Sequence, residues 1–169
     1  MTAADAPLEV RRRPRTALAA WTVAAAAVIG VVVWFVTSPR ALATSDEPVV
    51  ASTPVGQDVY LAVASGEPDR TLELTGVRVH VSSTAPVEVE PLVCVEGSPR
   101  VTSDPEAFCQ DLVAPEGHSF RGTDSLVLRV RGEYAGVVNV DRVRLGFREG
   151  VRWGTRPAGA PATVALLGR

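Results

Sequence analysis

From Ala17 to Val36 the chain runs for twenty residues without a charged side chain. As a helix such a run covers about 30 Å, the thickness of a bilayer's hydrocarbon core. A helix also satisfies its own backbone polar groups, which lipid demands of any spanning segment. Trp21 stands near the start of the run and Trp34-Phe35 near its end, at the depths where amphipathic rings favour the headgroup layer. Arg11, Arg12, Arg13 and Arg15 precede the run, and only Arg40 follows closely. The excess of positive charge on the N-terminal side assigns residues 1–16 to a cytoplasmic basic tail and 17–36 to a single transmembrane helix. Everything after it is then exported.

A cleaved signal peptide is the alternative. Ala41-Leu42-Ala43 has the small-x-small form of a cleavage site, and Pro39 lies just upstream. The apolar run is longer than the ~7–15 residues of a signal core, which favours a retained anchor. No cysteine follows the run to carry a lipid, and the twin arginines lack the flanks of a Tat signal. Gly30 and Ala24 to Ala27 would permit close approach of another helix, although no GxxxG motif is present.

Every basic residue among the 17 is arginine. The absence of lysine excludes Schiff-base and P-loop lysine chemistry, and with abundant Ala, Gly, Pro and Val it points to a GC-rich genome. A net charge of −2 argues against general polyanion binding. The charge is unevenly spread: residues 41–124 carry fourteen acids against four arginines, and residues 125–169 carry eight arginines against three acids. Pairing of the two halves across strands is the simplest reading; a basic face for an anionic partner is the other.

Residues 37–55 are rich in Ser, Thr, Pro and Ala, with Asp46-Glu47-Pro48 in the middle, and read as an extended linker. Residues 56–169 read as the exported domain. Leu72, Leu74, then Val77, Val79, Val81 alternate, as do Val138, Val140, then Val143, Leu145, Phe147. Each series shifts parity by one residue, at Thr75-Gly76 and at Asp141-Arg142, the mark of a β-bulge. Their common form suggests two similar neighbouring strands. Further strands are expected over 58–64, 87–95, 125–131, 151–155 and 163–167, with a hairpin turn at Glu149-Gly150. One helical turn within 105–112, capped by Ser103 or Asp104, is also expected. About seven strands separated by Gly and Pro, with no long helical periodicity, predict an all-β fold: an antiparallel, Ig-like β-sandwich.

Cys94 and Cys109 are the two cysteines and both fall in the exported part, where a disulfide is the expected state. Closing a loop of this length should contribute about 3 kcal/mol. A redox pair would need CxxC-like spacing in a βαβ context. His80 sits at a polar position of a strand. His118, with Asp124 and one of several serines, supplies the residue types of a hydrolase but no nucleophile elbow. Two isolated histidines make a poor zinc site, and Asp104 with Glu106 lack the spacing of a calcium loop. No catalytic residue, metal site or cofactor is therefore assigned, and no nucleic-acid or nucleotide partner is expected. Arg148, Arg152, Trp153 and Arg156 cluster about the last hairpin, with Tyr134 upstream; arginine and aromatic side chains of this kind form protein or glycan contacts. The opposing reading is a solvated strand face with Trp153 closing the end of the sandwich.

The stretch from Val140 to Thr155 (VDRVRLGFREGVRWGT) resembles the closing hairpin of uncharacterised single-span, membrane-anchored proteins of high-GC Gram-positive bacteria. The resemblance implies a single-pass location and a small exported sandwich domain, and carries over no functional residues. The expectation for function is a non-enzymatic, membrane-anchored binding or accessory protein outside the cytoplasmic membrane, with a protein partner at the envelope. A cell-wall or glycan-binding domain released after Ala43, and an envelope hydrolase or its regulator acting through His118, are the competing expectations.

Overall fold

The computed structural model of the protein describes residues 15–168, with side chains from residue 19 onward. Most of the expected basic tail lies outside the described residues. Arg15–Thr37 forms one helix, α1, and residues from Val36 onward form a separate compact unit. The helix is apolar around its whole circumference over Ala19–Thr37 and long enough to cross a membrane, as suits either a span or a signal segment.

The second unit is built almost wholly of strands: β1 (Val49–Pro54), β2 (Val59–Ser65), β3 (Leu72–Arg78), β4 (Val81–Ser83), β5 (Val87–Val95), β6 (Val101–Thr102), β7 (Asp111–Val113), β8 (Ser119–Phe120), β9 (Ser125–Gly132), β10 (Gly136–Val140), β11 (Arg144–Glu149), β12 (Arg152–Pro157) and β13 (Ala162–Leu167). They form three sheets, in the orders β6-β2-β9-β5-β7, β12-β11-β3-β8 and β1-β13-β10-β4. All pairs but one are antiparallel; β1 runs parallel to β13.

The strand count exceeds the expected seven because two expected strands each divide between sheets and four more, β1, β6, β7 and β8, lie outside the expected windows. The chain passes from β3 to β4 across Val79-His80, from β10 to β11 across Asp141–Val143, and from β12 to β13 across Ala158–Pro161. The parity shift expected at Asp141-Arg142 is one of these crossings. The shift expected at Thr75-Gly76 is a bulge: Gly146 faces Gly76 and Phe147 faces Leu74, which leaves Thr75 without a partner. The two similar stretches are neighbours, β11 beside β3 and β10 beside β4. Arg142 braces the crossing region, donating to Gly159 O at 3.0 Å, to Ser45 O at 2.9 Å and to the Asp46 carboxylate at 2.6 Å.

Alternation supplies the core. Leu61 and Val63 from β2, Leu126, Leu128 and Val130 from β9, Leu72 and Leu74 from β3, Leu145 and Phe147 from β11, and Val164 and Leu166 from β13 bury their side chains in one cluster drawn from all three sheets. Each such side chain contributes about 1.5–3 kcal/mol of burial. A smaller cluster lies on the other face of β5 and β9, where Cys94, Cys109 and Val127 are buried. The expected disulfide joins Cys94 to Cys109, with a Cα–Cα distance of 5.2 Å. The helical turn is confined to Pro105–Ala107, and Asp104 precedes it without capping it through its side chain; part of the window expected to be helical is β7 instead.

Residues 37–55 depart from the expected free linker. Within them β1 pairs with β13 in parallel register from Val49↔Ala162 to Pro54↔Leu167, and Ala51 and Thr53 are buried. Small and hydroxyl side chains fit beneath a neighbouring strand as readily as they dress a tether, so the composition concealed the pairing. Upstream, Leu42 packs on the core, Thr44 bridges to Gly159 and Pro39 is buried.

Candidate functional site

The hairpin from β11 to β12 turns on Gly150-Val151, with Glu149 paired to Arg152 and Arg148 to Trp153. Gly150 has φ +60°, the conformation glycine supplies at the first central position of a II′ turn. Strand parity divides the four residues expected to act together. Arg148 and Trp153 share the outward face of the sheet; Trp153 is 59 % exposed, and Val151 at the turn is exposed as well. Arg152, Gly154 and Arg156 face the other way, opposite Glu149, Phe147 and Leu145. There Arg156 donates to Pro39 O at 3.4 Å, and a side chain on Gly154 would meet the Pro39 ring at 2.9 Å. The cluster is therefore an outward pair and an edge pair, the second turned towards the segment that follows α1. Trp153 does not close the end of the fold. Tyr134 occupies the turn before β10, at the other end of the β10–β11 path, and does not join the hairpin.

Beneath the hairpin Arg70 forms a four-contact polar junction. Its guanidinium donates to both oxygens of Glu149, at 2.8 and 2.9 Å, to Glu67 at 2.8 Å and to the Ala41 carbonyl at 3.1 Å. The hydrogen bonds to Glu149 raise the Arg70 pKa above its ordinary value, with Glu67 adding to the effect against the cost of burial. The same bonds hold the Glu149 carboxyl below the usual glutamate range; burial opposes this, and the charges of Arg70, Arg40 and Arg152 assist it. Bidentate, charge-assisted contacts of this kind are the strong ones. Arg70 thus ties the hairpin to the 38–44 segment, a role its sequence position gave no sign of.

The acidic and basic halves of the chain do pair across strands. Arg129 on β9 reaches Glu90 at 2.7 Å and Glu88 at 3.5 Å on β5, Arg131 reaches Asp58 at 3.5 Å, and Arg148 lies 4.0 Å from Glu73.

His118 and Asp124 come together in an open cleft beside the turn at Glu96. His118 Nε2 stands 3.4 Å from Asp124 Oδ2. Asp124 is only 4 % exposed and accepts the backbone N–H of Glu96 at 3.1 Å and of Arg121 at 2.8 Å. Next to it Ser125 Oγ donates to Gly97 O at 2.7 Å. Among the described residues no hydroxyl hydrogen-bonds the His118 ring, and the two hydrogen bonds Asp124 takes from backbone explain its burial as a loop clamp. His80 is exposed at the β3–β4 crossing, 4.0 Å from Asp141. Among the described residues no three His, Cys, Asp or Glu side chains converge as metal ligands would. No protein-family profile matches the sequence, and neither a curated protein nor a solved structure matches it significantly.

Proposed function

We propose that the chain is a non-enzymatic, single-pass membrane protein that acts outside the cytoplasmic membrane as a binding or accessory subunit, in the manner of the anchored high-GC Gram-positive proteins its hairpin resembles. One observation carries this reading. Residues 39–44 are built into the β unit: Pro39 lies on β12, Arg70 holds the Ala41 carbonyl, Leu42 packs on the core, and Ala43 N–H donates to Glu67 at 3.1 Å while its carbonyl accepts from Gly159. Cleavage after Ala43 would strip these contacts from the folded unit, so a retained helix suits the structure better than a signal peptide. The N-terminus is then cytoplasmic and the disulfide-bearing unit is outside.

We also read the unit as an Ig-like sandwich. Joining the interrupted strands leaves seven principal ones, with β1, β12–β13, β10–β11 and β3–β4 in one layer and β2, β9 and β5 in the other. That order supports the reading. Sandwiches commonly meet partners through hairpins and edges, and the outward Arg148–Trp153 pair with exposed Val151 is the surface assigned to an envelope protein partner.

The test is cross-linking in intact cells, followed by purification from solubilised membranes and mass spectrometry with N-terminal sequencing. A reproducible membrane partner, captured by the wild type and lost in the R148A/W153A variant, is expected, with the N-terminal region retained. A mature N-terminus at Thr44 would overturn the anchor and favour a released wall- or glycan-binding domain. Equal capture by the variant would remove the hairpin as the partner surface.

A further inference from the structure

The pairing of acidic with basic residues seen across β5 and β9 is absent at one row of another sheet of the β unit. On the outward face of the β12-β11-β3-β8 sheet, Arg144 of β11 stands directly opposite Arg78 of β3. Both are exposed, and among the described residues neither has a carboxylate within 4.0 Å, in contrast to Arg70, Arg129, Arg131 and Arg142. Like charges directly opposite on a strand pair destabilise a sheet, so the fold carries this pair at a cost.

The next row along the same face is glycine on both strands, Gly146 opposite Gly76. The missing side chains leave a hollow of about 300 Å³, bordered by Arg78, Thr75, Thr155 and Glu116. Thr75 is the bulged residue, and its hydroxyl lies 2.9 Å from where a Gly146 Cβ would stand. The carboxylate of Glu116 comes to 3.8 Å from the corresponding point on Gly76. The Arg78 guanidinium at one end, two hydroxyls on the walls and one carboxylate at the rim surround a floor of bare backbone, and Arg144 stands across from Arg78 in the adjoining row. Guanidinium groups recognise phosphate oxygens through paired N–H bonds, while the threonines and Glu116 suit the hydroxyls of an attached polyol.

We propose that this hollow binds a phosphate ester of a polyol, with the phosphate between Arg78 and Arg144 and the hydroxyls towards Thr75, Thr155 and Glu116. A phosphoglycerol lipid headgroup and a soluble or polymeric glycerol phosphate share that chemistry. The site does not rest on the protein-partner reading, because it uses none of Arg148, Val151 and Trp153.

Full-length protein in phosphatidylcholine nanodiscs, titrated with glycerol 3-phosphate, provides the test; a parallel sample uses nanodiscs containing phosphatidylglycerol. Binding is read from the Nε–H resonances of Arg78 and Arg144. Saturable shifts with the soluble ester alone assign the site to a free or polymeric phosphate, and shifts in the phosphatidylglycerol nanodiscs alone assign it to a headgroup; both outcomes support the proposal. The R78Q/R144Q variant should bind at least about tenfold more weakly and melt no lower than the wild type, since it removes a repulsion. No saturable shift with either source, unchanged affinity in R78Q/R144Q, or a melting temperature several degrees below wild type would overturn it.

Discussion

Replacing Arg70 with methionine tests how the β unit holds both its hairpin and the segment leading in from α1. The Arg70 side chain is only 9 % exposed, against 22 % for Glu149. Methionine keeps much of the apolar stem but leaves Glu149 and Glu67 without their shared cation and the Ala41 carbonyl without its donor. Breaking a fully buried pair by removing one partner costs about 3–5 kcal/mol, and an exposed pair contributes about 0–1. Both carboxylates here keep some contact with water, so the expected loss is about 2–3 kcal/mol. For a unit of this size that lowers the melting temperature by roughly 10 °C. The pH dependence follows from Glu149, whose folded pKa is depressed by Arg70. A depressed carboxyl contributes stability that is complete above its unfolded value, near ~4.3, and is lost as pH falls through the lower folded value. The difference between wild type and R70M should therefore be full at pH 7 and shrink below about pH 4. Thermal unfolding of the detergent-solubilised full chain, followed by circular dichroism of the β signal, measures it at both pH values. Limited proteolysis should show residues 38–43 becoming susceptible in R70M alone. An R70M variant within about 0.5 kcal/mol of wild type at pH 7, or a gap that persists unchanged at pH 3, would refute the assignment of Arg70 as the junction.

Reduction of the Cys94–Cys109 bridge, or the C94A/C109A variant, should cost about 3 kcal/mol from the entropy of the opened loop, read as a drop in melting temperature with and without reductant. Asp124→Asn keeps one acceptor oxygen but places its amide donor against the N–H of either Glu96 or Arg121 and should cost about 2–3 kcal/mol, with faster hydrogen exchange at the amide left unpaired. His118→Ala, which keeps both backbone bonds to Asp124, should cost under about 1 kcal/mol; a larger loss from His118 than from Asp124 would show that the ring, not the carboxylate, holds the cleft.

Local patterns of the sequence accounted for much of this protein. Twenty uncharged residues have one economical conformation in lipid. Two cysteines alone in a chain have one possible intramolecular partner each. The period-two alternation in 72–81 and 138–147 located the long strands, and its single slips located both the bulge at Thr75 and the crossing at Asp141–Val143, because a side chain's face along a strand is set by parity alone. Contacts between residues far apart in sequence are not encoded that way. Nothing in Val49–Pro54 marks it as a partner of β13, since its inward Ala51 and Thr53 are small and polar enough to belong to a tether. Arg148, Arg152, Trp153 and Arg156 are close along the chain, yet alternation sends them to opposite faces. Arg78 and Arg144 are sixty-six residues apart and become neighbours only through the register of β3 with β11. Tertiary structure alone decided those meetings, because pairing register depends on how the whole set of inward faces closes over one core.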